Sequence, residues 1–169
     1  MQGRALACGD SQGAALVSCL VGGRWVPPGV DGLQVHDPAT GEHIATVPAL
    51  AEAAVVEAIA AAAAAWPAWR ARTAKERSAC LRRWHALIER DAEALARLLT
   101  REQGKPLAEA RGEIAYANGF VDWFSAEALR VYGETVPSPW ADGRVLVTRE
   151  PVGVAALITP WNFPAAMIT

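Results

Sequence analysis

Little in this sequence favours a metal, a disulfide framework or a nucleic acid. Its three cysteines, Cys8, Cys19 and Cys80, are odd in number and form no CxxC pair. They offer neither a disulfide pattern nor zinc-ligand spacing, and a reducing, cytoplasmic setting is the simplest reading. Positive charge is not in excess, with 16 Lys and Arg against 18 Asp and Glu. Nucleic-acid binding draws on clustered cations. Here the cations are nearly all arginine and are scattered among carboxylates, as on solvated helix faces. The N-terminus (MQGRALACGD) has one Arg and an apolar run too short for a signal peptide. Residues 151–169 carry no charge and approach the length of a membrane span. Pro151, Pro160 and Pro164 interrupt them, however. Proline inside a helix removes a hydrogen bond and clashes, so a buried strand followed by a loop fits better. No GxGxxG follows that strand, and no internal repeat is visible.

What is present suits a globular chain. Hydrophobic residues make up 52% and charged ones 20% of 169 residues, enough for one core and one domain or slightly more. Ala15 to Val26 reads as two short strands around Gly22-Gly23. Pro27-Pro28-Gly29 then breaks the chain, and strands Leu33 to His36 and His43 to Val47 flank an Asp37–Gly41 turn. From Ala51 the period becomes helical, with Val55, Val56, Ile59 and Ala63 at one spacing, until Trp66-Pro67 ends or kinks the helix. Thr73-Ala74-Lys75-Glu76 is a capping box that opens a second helix. Leu81, Trp84, Ile88, Leu95 and Leu98 share its apolar face, Gly104 stops it, and Pro106 starts the third helix at its first position. That third helix is expected from about Leu107 to Tyr132, burying Ile114, Ala117, Val121, Phe124 and Ala128, with Gly133 closing it. Strand texture returns at Arg144 to Thr148 and in the apolar run Val152 to Ile158, as in a strand buried on both faces of a parallel sheet.

Chemistry is concentrated in Ile158-Thr159-Pro160-Trp161-Asn162-Phe163-Pro164. A buried strand that delivers the chain into a loop is where α/β folds bind nucleotides. The Asn162 amide could donate there to an oxyanion on a carbonyl carbon, a contribution of roughly 3 to 4 kcal/mol where such donors have been removed. On residue type alone, an Asn between prolines is more often a turn residue. Glu102 and Glu113 read as surface charges on helices, His85 as a packing or boundary residue, and Cys80 as buried and inert. The seven tryptophans read as core rather than as a binding box.

Thr159 to Pro164 resembles the PWNFP signature of the aldehyde dehydrogenases. Asp37-Pro38-Ala39-Thr40-Gly41-Glu42, Pro67-Ala68-Trp69-Arg70 and Glu102-Gln103-Gly104-Lys105-Pro106-Leu107 are similar to family segments in the same order. Thr73 to Arg77, Glu102 to Ile114 and Pro160 to Thr169 are most similar to bacterial succinate-semialdehyde dehydrogenases. The resemblance implies an α/β fold: the N-terminal part of a Rossmann-like cofactor-binding domain over residues 1–132, an oligomerisation arm over 133–151, and the first strand and loop of the sheet over 152–169. It implies oxidation of an aldehyde, succinate semialdehyde or a similar one, to the acid with NAD or NADP. A cysteine thiolate attacks, the Asn162 side chain holds the oxyanion in part, hydride passes to the nicotinamide, and a glutamate-activated water releases the acid. Ile158, Thr159, Pro160 and Trp161, with Asn162, would line the cofactor crevice. In the family the nucleophilic Cys, the general-base Glu, a ribose-contacting Lys and a substrate-binding Arg all come after the segment corresponding to residue 169. The expectation is therefore an N-terminal piece of a homo-oligomeric enzyme, inactive alone, with no membrane or nucleic-acid partner. The alternative is a helical binding module that has lost the chemistry.

Overall fold

The computed structural model describes residues 15–29 and 31–169, so Cys8 lies outside them. Among the described residues, short strands precede three long helices, and a hairpin follows. Strand β1 (Ala15–Leu16) pairs in parallel with β5 (His43–Val47), whose other edge pairs antiparallel with β4 (Leu33–His36). Between β4 and β5, Asp37 Oδ1 accepts from the amides of Ala39 (2.8 Å) and Thr40 (3.3 Å), and Gly41 takes φ +76°. Local polar bonding and a left-handed glycine therefore set this turn. Strands β2 (Cys19–Val21) and β3 (Arg24–Val26) form a hairpin closed by Gly22 and Gly23, both at positive φ. Such a pair gives the backbone twist that a two-residue hairpin turn needs.

Helix α1 (Glu52–Arg70) carries Pro67 inside it. The helix does not stop at Pro67: it runs three residues further, and the Pro67 carbonyl accepts from the Ala71 amide. Helix α2 (Ala74–Gln103) opens on the expected capping box: Thr73 Oγ1 accepts from the Glu76 amide, and Glu76 accepts from the Thr73 amide. It closes on Gly104 at φ +81°, whose amide donates to Thr100. Helix α3 (Leu107–Glu127) then folds back along α2, with Pro106 at its N-cap rather than at its first helical position. The core between them is Ala96 and Leu99 against Ala110 and Ile114, flanked by Ile88, Ala92, Leu95, Leu107 and Ala165. Small residues at such a seam let helices approach closely. Strands β6 (Glu134–Val136) and β7 (Val145–Val147) form the last hairpin.

Several expectations need correction. No residue of α1 is buried: Val55, Val56 and Ile59 face outward, while the hairpin β2–β3 lies over Ala61, with Arg24 reaching Glu57 at 2.7 Å. On α2, Trp84 and Leu98 fall outside the contact with α3, and on α3 Phe124 is exposed while Ser125 is buried. Helix α3 ends at Glu127, well before Gly133, with Ala128 as its C-cap. Six of the seven tryptophans are exposed and Trp66 is half-buried, so they do not form the core. The run Val152 to Ile158 makes no strand; Val152 is 100% and Ile158 96% exposed. Among the described residues no strand lies beside it to exchange hydrogen bonds, and strand structure requires that exchange.

Candidate functional site

The segment after that run is held from outside. Pro160 and Pro164 cannot donate backbone hydrogen bonds, and within 159–169 one backbone bond is made, Met167 N–H to Phe163 O at 3.1 Å. The Thr169 hydroxyl adds a bond to the Ala166 carbonyl at 3.2 Å, and the other anchors come from the end of α2, the α2–α3 turn and α3. Gln103 Nε2 donates to the Trp161 carbonyl at 3.0 Å. Lys105 Nζ donates to the Asn162 carbonyl at 2.9 Å and forms an ion pair with Glu113 Oε2. The other Glu113 oxygen, Oε1, accepts from the Ala165 amide at 2.9 Å and the Ala166 amide at 3.2 Å. The Lys105 ammonium also lies 4.6 Å from the centre of the Phe163 ring, within cation–π range.

The Lys105 and Glu113 side chains are only 10% and 1% exposed. Two charges withdrawn from water this far need each other and further polar partners, and the backbone from Asn162 to Ala166 provides them. Glu113 is thus no surface charge. Its position carried a readable signal: it lies three residues after Ala110 and four before Ala117, on the buried stripe of α3. A carboxylate on such a stripe needs a cation, and Lys105, eight positions earlier in the α2–α3 turn, supplies it.

Of the residues expected to line a cofactor crevice, Ile158, Pro160 and Trp161 are exposed and Thr159 is half-buried. Asn162 is exposed while its carbonyl is fixed, so its side-chain amide stands outside the clamped backbone. An open cavity of about 330 Å³ adjoins it, lined in part by Gly104, Lys105, Trp161 and Asn162. For a nicotinamide cofactor these residues fit one wall: apolar faces from Ile158 and Trp161, and free backbone polar groups along the unpaired run. Among the described residues that wall includes no glycine-rich phosphate cradle. A larger cavity of about 440 Å³ lies elsewhere, between Trp66, Trp69 and the end of the last hairpin. Its Arg70 and Glu150 pair at 2.7 Å, so much of its charge is already satisfied.

The other candidates do not converge on Asn162. Cys80 is half-buried rather than fully buried, and its sulfur lies 3.1 Å from Arg83 Nη2. It sits 23 positions before Gln103 on the same helix, which at the helical rise is about 35 Å from the Trp161 anchor. Cys19 belongs to the hairpin against α1. His85 is half-buried with Nδ1 unpartnered, as a packing residue can be. Glu102 is exposed on α2, and partial desolvation raises its carboxyl above the ordinary range. Among the described residues no helix is long and apolar enough to cross a membrane, and no group of metal-ligating side chains forms.

Known proteins with the same pattern are numerous. The model of the aldehyde dehydrogenase family matches residues 25–169. The chain is 58% identical over 137 residues to the glutarate-semialdehyde dehydrogenase of Pseudomonas putida, covering 81% of this chain and 28% of that one. It is 50% identical over 151 residues to the NADP(+) succinate-semialdehyde dehydrogenase of Escherichia coli, covering 89% of this chain and 31% of that one. The crystal structure of succinate-semialdehyde dehydrogenase from Burkholderia pseudomallei superposes with a TM-score of 0.86 at 54% identity, over 90% of this chain and 32% of that one. The chain therefore spans under a third of the length of each of these relatives.

Proposed function

The chain belongs to the aldehyde dehydrogenase family, and from that premise we propose that it supplies the N-terminal share of a semialdehyde dehydrogenase, with Asn162 as an oxyanion donor. The observation that carries the reading is the externally anchored turn 161–166, which fixes the Asn162 backbone and leaves its amide free beside an open cavity. A donor held still before reaction stabilises the charge that develops on a carbonyl oxygen without reorganising. Asn162 Nδ2 would donate to that oxygen, while Ile158 and Trp161 present apolar faces that exclude water from one side. NAD or NADP, when bound, supplies the acceptor for the hydride leaving the aldehyde carbon. Thr159 and the backbone of Pro160 would contact that cofactor. Names of relatives support a short dicarboxylic semialdehyde as substrate.

Residues 1–132 then form part of the cofactor-binding domain, 133–151 an oligomerisation arm in a homo-oligomer, and 152–169 the entry to the Rossmann-like sheet. The setting is cytoplasmic. Residues 1–169 by themselves would not turn over, since the described thiols are not placed at Asn162.

The test compares full-length polypeptide with residues 1–169, following NADH and NADPH formation with succinate and glutarate semialdehydes. Full-length protein should turn over and the shorter chain should not. In the full-length protein, Asn162→Ala should lower kcat by about 100-fold or more. Parent-like kcat in Asn162→Ala removes the oxyanion role. No turnover by folded full-length protein with either cofactor favours a binding module instead.

A further inference from the structure

We propose that Lys105 and Glu113 are positioning residues for Asn162, their buried ion pair clamping the backbone at Asn162 and just after it. The inference rests on the reading of Asn162 as oxyanion donor. Polarity is matched at each contact. The ammonium meets a carbonyl, that of Asn162 itself, and the carboxylate meets two amides, those of Ala165 and Ala166. Between these anchors lie Phe163 and Pro164. Phe163 covers the ammonium with its ring, and Pro164 has no amide to give.

The segment has little of its own to hold it: one backbone bond and the Thr169 hydroxyl on the Ala166 carbonyl, neither of which touches Asn162. Nor does helix packing require these charges. Replacing a buried ion pair with apolar groups of similar size is often neutral or stabilising. What the pair adds is direction: each charged group has one partner in the other and spends the rest of its bonding on the turn. Gln103, one residue before the helix cap, extends the same hold to Trp161.

The discriminating variant is the double substitution Lys105→Met with Glu113→Met, which removes both charges and leaves neither unpaired. It would be made in the full-length polypeptide beside Glu113→Gln and Asn162→Ala. Hydrogen–deuterium exchange would be followed by mass spectrometry on peptides from α2, α3 and 161–169, together with kcat and KM. In the double variant, exchange at Ala165 and Ala166 should rise about tenfold or more while the helix peptides keep parent protection. Its kcat should fall about tenfold with KM for the aldehyde within about twofold, and Glu113→Gln should fall between it and the parent. Unchanged exchange in 161–169 overturns the proposal. So does faster exchange with parent kcat, and so does equal loss of protection in α2 and α3, which marks the pair as support for helix packing. Asn162→Ala separates the two layers. If it keeps parent kcat, the oxyanion reading fails on its own, and the positioning role falls with it even where the exchange data show the clamp intact.

Discussion

Glu113 shows how one residue can be misread by type and still be legible by position. Residue type places a glutamate on a helix surface; its spacing within Ala110, Ala117 and Val121 places it inside. Asn162 is the reverse case, since its segment stands out in the sequence but its anchors lie 52 to 58 positions earlier, beyond any local pattern. Gly104 was readable for a simpler reason: a left-handed helix cap favours glycine wherever it occurs. A side chain at Gly104 would meet two obstacles. The backbone stands at φ +81°, and an added Cβ would come within 2.8 Å of Pro38 Cγ, where the β4–β5 turn touches the end of α2. Gly104→Ala should therefore cost about 2 to 3 kcal/mol, combining backbone strain with displacement of Pro38. Gly41→Ala is the control, since it shares a positive φ but meets nothing within 4 Å, and should cost about 1 kcal/mol. Urea titrations of both variants decide this; equal losses would show that the Pro38 contact does not matter.

At the scale of elements, the two ends of α2 are legible because its capping box and its glycine stop are local features, whereas Trp84 and Leu98 of its apolar stripe stay exposed. The capping box predicts a specific acid response. Hydrogen bonds from the Thr73 amide and then its hydroxyl hold the Glu76 carboxyl below its ordinary value. A carboxyl lowered in the folded state adds stability above its unfolded value near 4.5 and loses it as pH falls through the folded value. Thr73→Ala should cost about 1 kcal/mol at pH 7, and the gap to the parent should narrow as pH falls below 4.5. A gap that stays constant from pH 7 to pH 3 would dissociate Glu76 from the cap. The run Val152 to Ile158 is the element the sequence misjudged. Its β-branched, apolar composition describes a strand, but a strand exists only through its neighbours, and the sequence pattern says nothing of whether a neighbour is present.

On the scale of the whole molecule, the order of elements and the family were legible, and the distribution of burial was not. Val55, Val56, Ile59, Trp123, Leu146, Leu157, Ile158 and Trp161 all face outward. Apolar periodicity marks a face but not what covers it: the α2–α3 seam takes Ala96, Leu99, Ala110 and Ile114 and leaves many larger side chains uncovered. Extended exposed apolar surface, with unpaired backbone groups along 152–158, is a template for association. Residues 1–169 at micromolar concentration should therefore sediment well above 17.9 kDa and bind a hydrophobic dye. Val154→Lys with Leu157→Lys should reduce that association, because inserted charge discourages strand pairing. Monomeric behaviour of the unaltered chain would contradict it.

The anchors on the turn at 161–166 also set an order of assembly. Helices α2 and α3 are joined by residues 104–106 and can meet as soon as that short connection closes. The turn reaches them across 52 to 58 residues, and the entropy of closing a loop grows with its length. Its docking should come after the helix pair has formed, and in pulse-labelled refolding the Ala165 and Ala166 amides should gain protection later than those of Ala96 or Ile114. The segment that carries the proposed oxyanion donor is then the last to arrive and the first to leave.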